Sequence, residues 1–533
     1  MLAAVSYQPS VFSFRAAHCH ATLTRLPWPD MKSIRLWAIL ILALAARAAL
    51  YSAAIQDCER AFTADSQEYW DLADTMAHTG LFESMTWPGG SVSPEPEIFR
   101  SPGYPTLLGC VLRLHWQLSP EASKLSPWLL PMGPGTWRAV LAMQVLIDLH
   151  LVLLTYWLGR ELVGHGVGLL AALLQAVSPL AVAASCRILS DSLFAFMLTA
   201  ALLLIVRHFR TGSWRALLPA AVLMGAACYV RPVGLVMSGL FVLVLLFRPK
   251  RIRRAGAFAG VIAACVAPWV VRNAVVADYV GFSSFATDSM YWYSAAEVLA
   301  RKEGVSAAKV REGFFREEGW YSFDPDLVGQ PGLSNAPCYR TPGGLARYRR
   351  DRAKKIVLAH PRLFLDIHLK GCLAFWLPAA TDVLEVAGYT TGGKGTLAVL
   401  HEKGLLAAAR HYFGGNTTAM WLAGAMAFVL LARYAGIVLC GLWKLRLRMP
   451  AAAWLMILLV AASFLLPGPA THPRFRVPVA PILSVAAAVG WLGLIERLRR
   501  RKAPGHTDCE HGTTARRTSD CSMLCSQGRG PFS

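Results

Sequence analysis

The sequence predicts an all-α, polytopic membrane protein, a bundle of about ten transmembrane helices (range 9–12) with interfacial helices and a long outer loop region. Three observations carry that expectation. Hydrophobic residues make up 55% of the chain and charged residues 16%, against about 25% charge in a soluble domain. Several uninterrupted apolar runs reach the roughly 20 residues needed to cross hydrocarbon. Lys and Arg gather in short stretches between those runs, where they set orientation in the membrane.

The expected spans are 34–54, 138–158, 167–186, 191–207, 215–230, 233–248, 255–273, 418–443, 451–467 and 477–495. The segment 104–117 is short for a crossing and carries Arg113. If it does not cross, the clusters Lys32/Arg35, Arg160, Arg207/Arg210, Arg248 to Arg254, Lys444/Arg446/Arg448 and Arg497 to Lys502 all share one side. Positive short loops mark the cytoplasmic side, so 104–117 reads as a helix lying in the interface and both termini as cytoplasmic. The outer side then holds the loops 55–137 and 274–417, the corner at 187–191, the Arg231-Pro232 break and the loop 468–476. Within 274–417, residues 322–344 read as loop, 345–360 as a basic helix and 361–378 as an apolar interfacial helix.

The transmembrane domain is expected over 31–497. Residues 1–30 are polar and lack the apolar stretch of a secretion signal. They read as a disordered or artefactual extension ahead of a natural start at Met31. Residues 498–533 read as a disordered basic and polar tail. The net charge of +21 does not point to nucleic acid, because no aromatic-rich basic module of the kind that binds single strands is present. Among the 12 cysteines, Cys186, Cys228, Cys265 and Cys440 lie in apolar runs, where Cys is a small hydrophobe. Cys58 and Cys338 are candidates for an outer-side bridge by spacing alone. Cys509, Cys521 and Cys525 fit no standard zinc pattern. No metal and no cofactor is expected.

Nearly every polar motif falls on the expected outer side. Asp65 follows the first span, with Glu68 on the same helical stretch and Arg100-Ser101-Pro102-Gly103-Tyr104-Pro105 downstream. An interfacial Asp beside an acceptor hydroxyl is a candidate general base; the plain alternative is a cap for a helix beginning at Ser66. Arg187 and Asp191 stand one helical turn apart, which suits an ion pair or a substrate-positioning role. Arg231-Pro232 breaks an apolar run; an arginine there is either functional or snorkelling at a helix end. Arg272 and Asn273 close another span as expected exposed donors, and Arg474 and Arg476 open the last one. The planar fork of Arg suits a phosphate. Tyr291-Trp292-Tyr293 is an aromatic cluster that fits sugar stacking or interfacial burial.

Taken in order, these pieces resemble the membrane glycosyltransferases of the GT-C superfamily. The nearest likeness is to the dolichyl-phosphate-mannose–protein mannosyltransferase family and its bacterial relatives, the aminoarabinose and lipopolysaccharide-core sugar transferases. The resemblance runs over about 34–495 through DSQEYWD at 65–71, RSPGYP at 100–105, GRELVGHGVGLLAALLQAVSP at 159–179 and RILSDSLFAF at 187–196. It continues through RP at 231–232, PWVVRN at 268–273, HPRLFL at 360–365 and HPRFRVP at 472–478. No single motif is specific; their joint order is.

The resemblance implies a polyprenyl-phosphate sugar donor, an outer-face active site and a glycan, lipid or protein acceptor. It implies Asp65 as base and Arg272, Arg474 and Arg476 as donor-phosphate ligands; the motifs themselves add Arg231 as a further phosphate ligand and Arg100, Tyr104, Arg187, Asp191 and Glu68 as substrate-positioning residues. A bacterial inner membrane with the site facing the periplasm is the expected location. Many relatives carry a second acid directly after the first; here that position is Ser66. The alternative reading is a transporter or flippase for a lipid-linked or anionic solute, in which the intramembrane arginines line a path.

Overall fold

The computed structural model describes residues 34–86, 93–118, 135–248, 251–318, 341–389, 391–392, 396–442 and 450–502. The expectations for 1–30, most of the 322–344 loop, Cys338, Lys444/Arg446/Arg448 and 503–533 lie outside these residues.

The first half of the chain forms α1 (Ile34–Ala54), α2 (Ala64–Thr79), α3 (Gly103–Leu118), α4 (Thr136–Leu162), α5 (His165–Ala176), α6 (Pro179–Ser185), α7 (Asp191–Thr211), α8 (Trp214–Val230), α9 (Val233–Leu246) and α10 (Arg251–Ala277). The second half forms α11 (Phe285–Ser289), α12 (Ala296–Glu303), α13 (Ala307–Glu317), α14 (Pro342–Ala359), α15 (Pro361–Cys372), α16 (Ala380–Val386), α17 (Thr396–Tyr412), α18 (Thr417–Leu442), α19 (Pro450–Leu465) and α20 (Ala480–Lys502). A π-helical stretch, Met290–Ala295, joins α11 to α12, and a 3-10 turn, Pro473–Val479, leads into α20. One antiparallel ribbon, β1 (Glu83–Thr86) with β2 (Ser93–Pro96), pairs Glu83 with Pro96 and Thr86 with Ser93. The all-helical expectation missed it because Glu-Ser-Met-Thr and Ser-Pro-Glu-Pro carry no apolar alternation.

The helices stop where the sequence supplies a reason. Gly212 takes a left-handed φ of 67° after α7, a conformation that glycine adopts without strain. The Ser213 side chain then accepts from the Arg215 N–H to start α8. Arg231-Pro232 separates α8 from α9, since proline cannot continue the helix before it. Gly436 of α18 and Gly490 of α20 let those two backbones approach closely, the small-residue contact common between membrane helices.

The protein is a multi-pass membrane protein, but the expected ten crossings are not all full-length spans. Helices α1, α4, α7, α10 and α18 and the stretch 473–499 are long and apolar enough to cross. Among the described residues the bent pairs α5–α6 (60°) and 361–376 with α16 (58°) raise that number from 6 to 8. The shortfall lies in α8, α9 and α19, which have 17, 14 and 16 residues. At 1.5 Å per residue these reach about 21–26 Å, short of a core of about 30 Å.

A buried ion pair ties α1, α4 and the broken end of α5 together. Arg47 and Asp148 are both fully buried, with the Arg47 Nε donating to Asp148 Oδ2 at 2.6 Å. Arg47 Nη1 also donates to the carbonyls of Ala43 (3.0 Å) and Ala176 (2.9 Å). The latter is one of the carbonyls that lose their helical partners where α5 ends. Asp148→Leu is expected to cost about 3–5 kcal/mol by stranding the Arg47 charge. The double variant Arg47→Met/Asp148→Leu is expected to cost less than that single change. Unfolding in detergent measures both, and an equal or greater loss in the double variant refutes this account.

Candidate active site

Five chain segments meet at one end of the bundle and bring their charges together there. The first is the N-terminus of α2. Thr63 caps it, its side chain accepting from the Ser66 N–H while Ser66 Oγ accepts from the Thr63 N–H. The reading of Asp65 as the cap is therefore wrong: Asp65 sits in the first turn with its side chain free for other work. The exchange between Thr63 and Ser66 also engages the Ser66 side chain, at the position where the resemblance in sequence leads one to expect a second acid.

The second segment is the turn 97–105. Glu97 Oε1 accepts from the backbone N–H groups of Phe99 and of Arg100 (2.9 Å for the latter). That fixes Arg100, which is 7% exposed and lies over the rings of Tyr69 (4.9 Å) and Phe99 (4.8 Å). Arg100 Nη2 donates to Asp65 Oδ1 and its Nε to Glu68 Oε2, both at 2.6 Å. Asp65 and Glu68 are three apart on α2 and so share a face. Tyr104, fully buried, donates to Gln144 of α4, whose amide donates to the Arg187 carbonyl at 2.5 Å.

The remaining segments are the start of α7, the α8–α9 break and the 3-10 turn 473–479. Arg474 of that turn donates through Nη2 to Asp65 Oδ2, and its Nε is buried without a partner among the described residues. Arg231 pairs with Asp191, the first residue of α7. The Arg231 and Arg474 guanidinium groups each lie 5.6 Å from the Phe475 ring centre, so one aromatic ring packs beside both cations. Tyr69 and Ser190 share a hydrogen bond of 3.1 Å.

Other sequence-selected residues go elsewhere. Arg187 and Asp191 do not pair with each other. The chain between them is not helical, α7 begins only at Asp191, and Arg187 reaches Asp382 (3.1 Å) and Glu385 (2.5 Å) instead. Arg272 is not an exposed headgroup donor: it donates to the carbonyls of Phe82 (2.6 Å) and Glu97 (2.8 Å), pinning the ribbon and the 97–105 turn to α10. Arg476 does not face Asp65. Two residues along a 3-10 turn is about 240° of rotation, so Arg474 and Arg476 point apart, and Arg476 donates to the Tyr434 hydroxyl and the Leu377 carbonyl. Tyr291 is buried and stacked on Phe314 at 4.3 Å, in a small core formed within residues 290–367. Glu97, Gln144, Asp382 and Glu385 were not singled out from sequence. A Gln one turn before Asp148 inside the apolar run of α4 was the available signal for Gln144.

The electrostatics favour an ionised Asp65. Burial pushes its carboxyl up, but Arg100 and Arg474 outweigh burial and hold it well below the ordinary carboxylate range. Glu97 moves the other way: burial pushes it up against the backbone donors of Arg100 and Phe99. Partial desolvation lowers His472, with Asp382 opposing and Arg474 and Arg187 reinforcing the shift. The result is a carboxylate of weak basicity beside a guanidinium with an unused buried donor. An unmade buried hydrogen bond costs about 1–3 kcal/mol, so the Arg474 Nε is an uncompensated donor within this cluster.

The family described as dolichyl-phosphate-mannose-protein mannosyltransferase matches residues 132–271. The resemblance noted from motif order therefore holds over that segment, which contains Arg187, Asp191 and Arg231 but not Asp65, Arg100 or Arg474. Among solved structures, the chain is similar to the archaeal oligosaccharyltransferase AglB from Archaeoglobus fulgidus in complex with an inhibitory peptide and a dolichol-phosphate, at 16% identity and a TM-score of 0.47. The match covers 92% of this chain and 53% of that one, so this chain spans about half the length of the oligosaccharyltransferase. It is also similar to ArnT from Cupriavidus metallidurans bound to undecaprenyl phosphate, at 16% identity and a TM-score of 0.38, covering 88% of this chain and 80% of that one. No curated protein sequence matches the chain.

The depressed Asp65 acidity has a measurable sign. A carboxyl lowered on folding stabilises the protein above its unfolded value, 3.8 here, and that contribution fades as pH falls through the folded value. The gap in thermal midpoint between the wild type and Asp65→Asn is therefore expected to stay flat from about pH 8 to 5 and to shrink only below about pH 4. A gap that closes between pH 8 and 5 contradicts the double arginine pairing.

Proposed function

We propose that the protein is an inverting glycosyltransferase that moves a sugar from a polyprenyl-phosphate donor to a hydroxyl acceptor on the outer face of the membrane. The observation that carries this reading is Asp65 held by Arg100 and Arg474, with Arg231 beside the same Phe475 ring. It joins an anion-binding cation to a proton acceptor at one end of an apolar bundle. The family match over 132–271 supports it, as does the clustering of charge at one end of the helices, which suits surface chemistry better than a path through the bilayer.

The step balances as a single displacement. The acceptor oxygen attacks the anomeric carbon, the bond from that carbon to the phosphate oxygen breaks, and the hydroxyl proton passes to Asp65. The polyprenyl phosphate leaves with one further negative charge, which Arg474 and Arg231 stabilise. Such a leaving group is a weak base, so no strong general acid is needed. The donor phosphate competes with Asp65 for Arg474. As Arg474 turns toward the phosphate, Asp65 loses a cation and its proton affinity rises, so the base gains strength only when the donor is in place. Arg100, held by Glu97, stays behind and keeps Asp65 in position. Alignment of the two substrates supplies much of the remaining rate.

Purified protein with a polyprenyl-phosphate sugar and a hydroxyl acceptor tests the reading. Asp65→Asn is expected to lower turnover by about 10²–10⁴-fold while the protein still folds. Arg474→Lys keeps the charge but loses the fork. It is expected to raise KM for the donor and to lower kcat, with little change in KM for the acceptor. Normal turnover by Asp65→Asn removes the base from the mechanism, and solute transport without sugar transfer replaces the reading altogether.

A further inference from the structure

Two buried arginines reach the broken end of α5, and they differ in their compensation. Arg47 donates to the Ala176 carbonyl and pairs with Asp148. Arg433 of α18, 5% exposed, donates to the Leu174 carbonyl (2.5 Å) and to Ser178 Oγ (3.2 Å). Among the described residues no carboxylate pairs with it, and its Nε is buried with no partner. Arg476, 3% exposed, lies against the neighbouring Tyr434 and likewise has only neutral partners among the described residues. The acid whose charge it feels, Asp382, is held by Arg187 at 3.1 Å.

Both arginines line one cleft together with Met426, Val429 and Leu430 of α18. The next residues around that helix, Phe428 and Leu431, are 72% and 64% exposed, which marks the side of α18 that meets lipid. Two like charges buried side by side in an apolar wall are costly when left uncompensated. A helix cap requires neither two cations nor the spare Nε donor.

We propose that Arg433 and Arg476 form a second anion site, separate from the Asp65 centre, for the phosphate monoester head of an isoprenoid lipid. The chain of that lipid lies along Met426, Val429 and Leu430. Two planar forks match the two charges and several oxygens of a monoester, whereas a bilayer phosphodiester brings one charge. The spent carrier of the proposed sugar transfer has this chemistry, and naming that species rests on that reading; the anion site itself does not.

The probe is farnesyl phosphate, added to the full-length protein in detergent and read by binding isotherm. An Arg474→Gln background silences the first site. Saturable binding is expected there, weakened at least about tenfold by Arg433→Gln and by Val429→Trp. Val429→Trp fills the cleft and leaves both charges and the α5 cap intact, so it decides the matter if Arg433→Gln fails to fold. Farnesol, inorganic phosphate and phosphatidylglycerol are each expected to bind at least about tenfold more weakly. Binding unchanged by Val429→Trp overturns the site. Equal binding of inorganic phosphate or phosphatidylglycerol overturns its assignment to a lipid monoester. Asp65→Asn is expected to leave this binding intact, so failure of the proposed reaction and failure of the second site are separately visible.

Discussion

Asp65 is shared by guanidinium groups that come from the two ends of the chain. Arg100 lies 35 residues further along and Arg474 lies 409 further along. The stretch that follows α1 is thereby fastened to the entrance of the last span. An exposed ion pair of this kind would contribute about 0–1 kcal/mol. This one is different because Arg100 is largely buried and braced by Glu97, Tyr69 and Phe99. Loss of the carboxylate would leave desolvated cations facing one another, and the turn 97–105, α2 and the 473–479 turn would lose the group that holds them in register.

The buried and half-buried arginines show how one residue type takes different roles according to its partners. Arg47 is matched by Asp148 and holds helices together. Arg272 has carbonyls on one side and the Trp269 ring at 4.9 Å on the other, and serves as a rivet between the ribbon and α10. Arg187 joins the 187–191 corner to α16 through two acids. Arg231 fixes the first residue of α7. Arg474 combines contact with Asp65 and a spare buried donor. Desolvation makes each of these charges expensive, and each is compensated in its own way: by carboxylates at Arg47, Arg187, Arg231 and Arg474, and by carbonyls and a ring at Arg272.

Much of the fold was legible because hydrocarbon imposes one demand, long apolar helices, that composition reveals directly. The cluster of Asp65, Glu68 and Arg100 was legible because charge beside apolar spans stands out. The roles of Arg474 and Arg476 were not separable from sequence. Their difference depends on a 3-10 turn, which a two-residue spacing does not announce. The spacing of Arg187 and Asp191 suggested a pair only on the assumption of a continuous helix, and the break at Ile188 to Ser190 undoes it. Asp382 and Glu385 are remote in sequence from Arg187, so nothing local could assign them. Gln144 and Asp148 stand four apart on one face of α4, amid apolar neighbours. That polar stripe within a span was readable as a packing site and went unread. The ribbon lies at the opposite limit, with too few residues to show a period.

A carboxylate cannot be both tightly salt-bridged and a strong base. Asp65 resolves that conflict only if one of its cations is able to leave. Arg100 is not free to go: Glu68 and the backbone brace it, and two rings cover it. Arg474 is the less constrained of the two: among the described residues the one carboxylate it bridges is Asp65, nearby Asp191 also attracts it, and its backbone is held at the start of the turn by the 3.3 Å bond from its N–H to His472 Nδ1. Linkage then runs both ways. In the proposed reaction a phosphate that takes Arg474 strengthens Asp65 as a base, and an Asp65 that has gained a proton no longer pulls Arg474 away from the phosphate. Proton loss from Asp65 to water restores its charge, draws Arg474 back and weakens the hold on the departing carrier. In that proposed cycle the Arg474–Asp65 ion pair also resets the site, and a change of either partner alters binding and chemistry together.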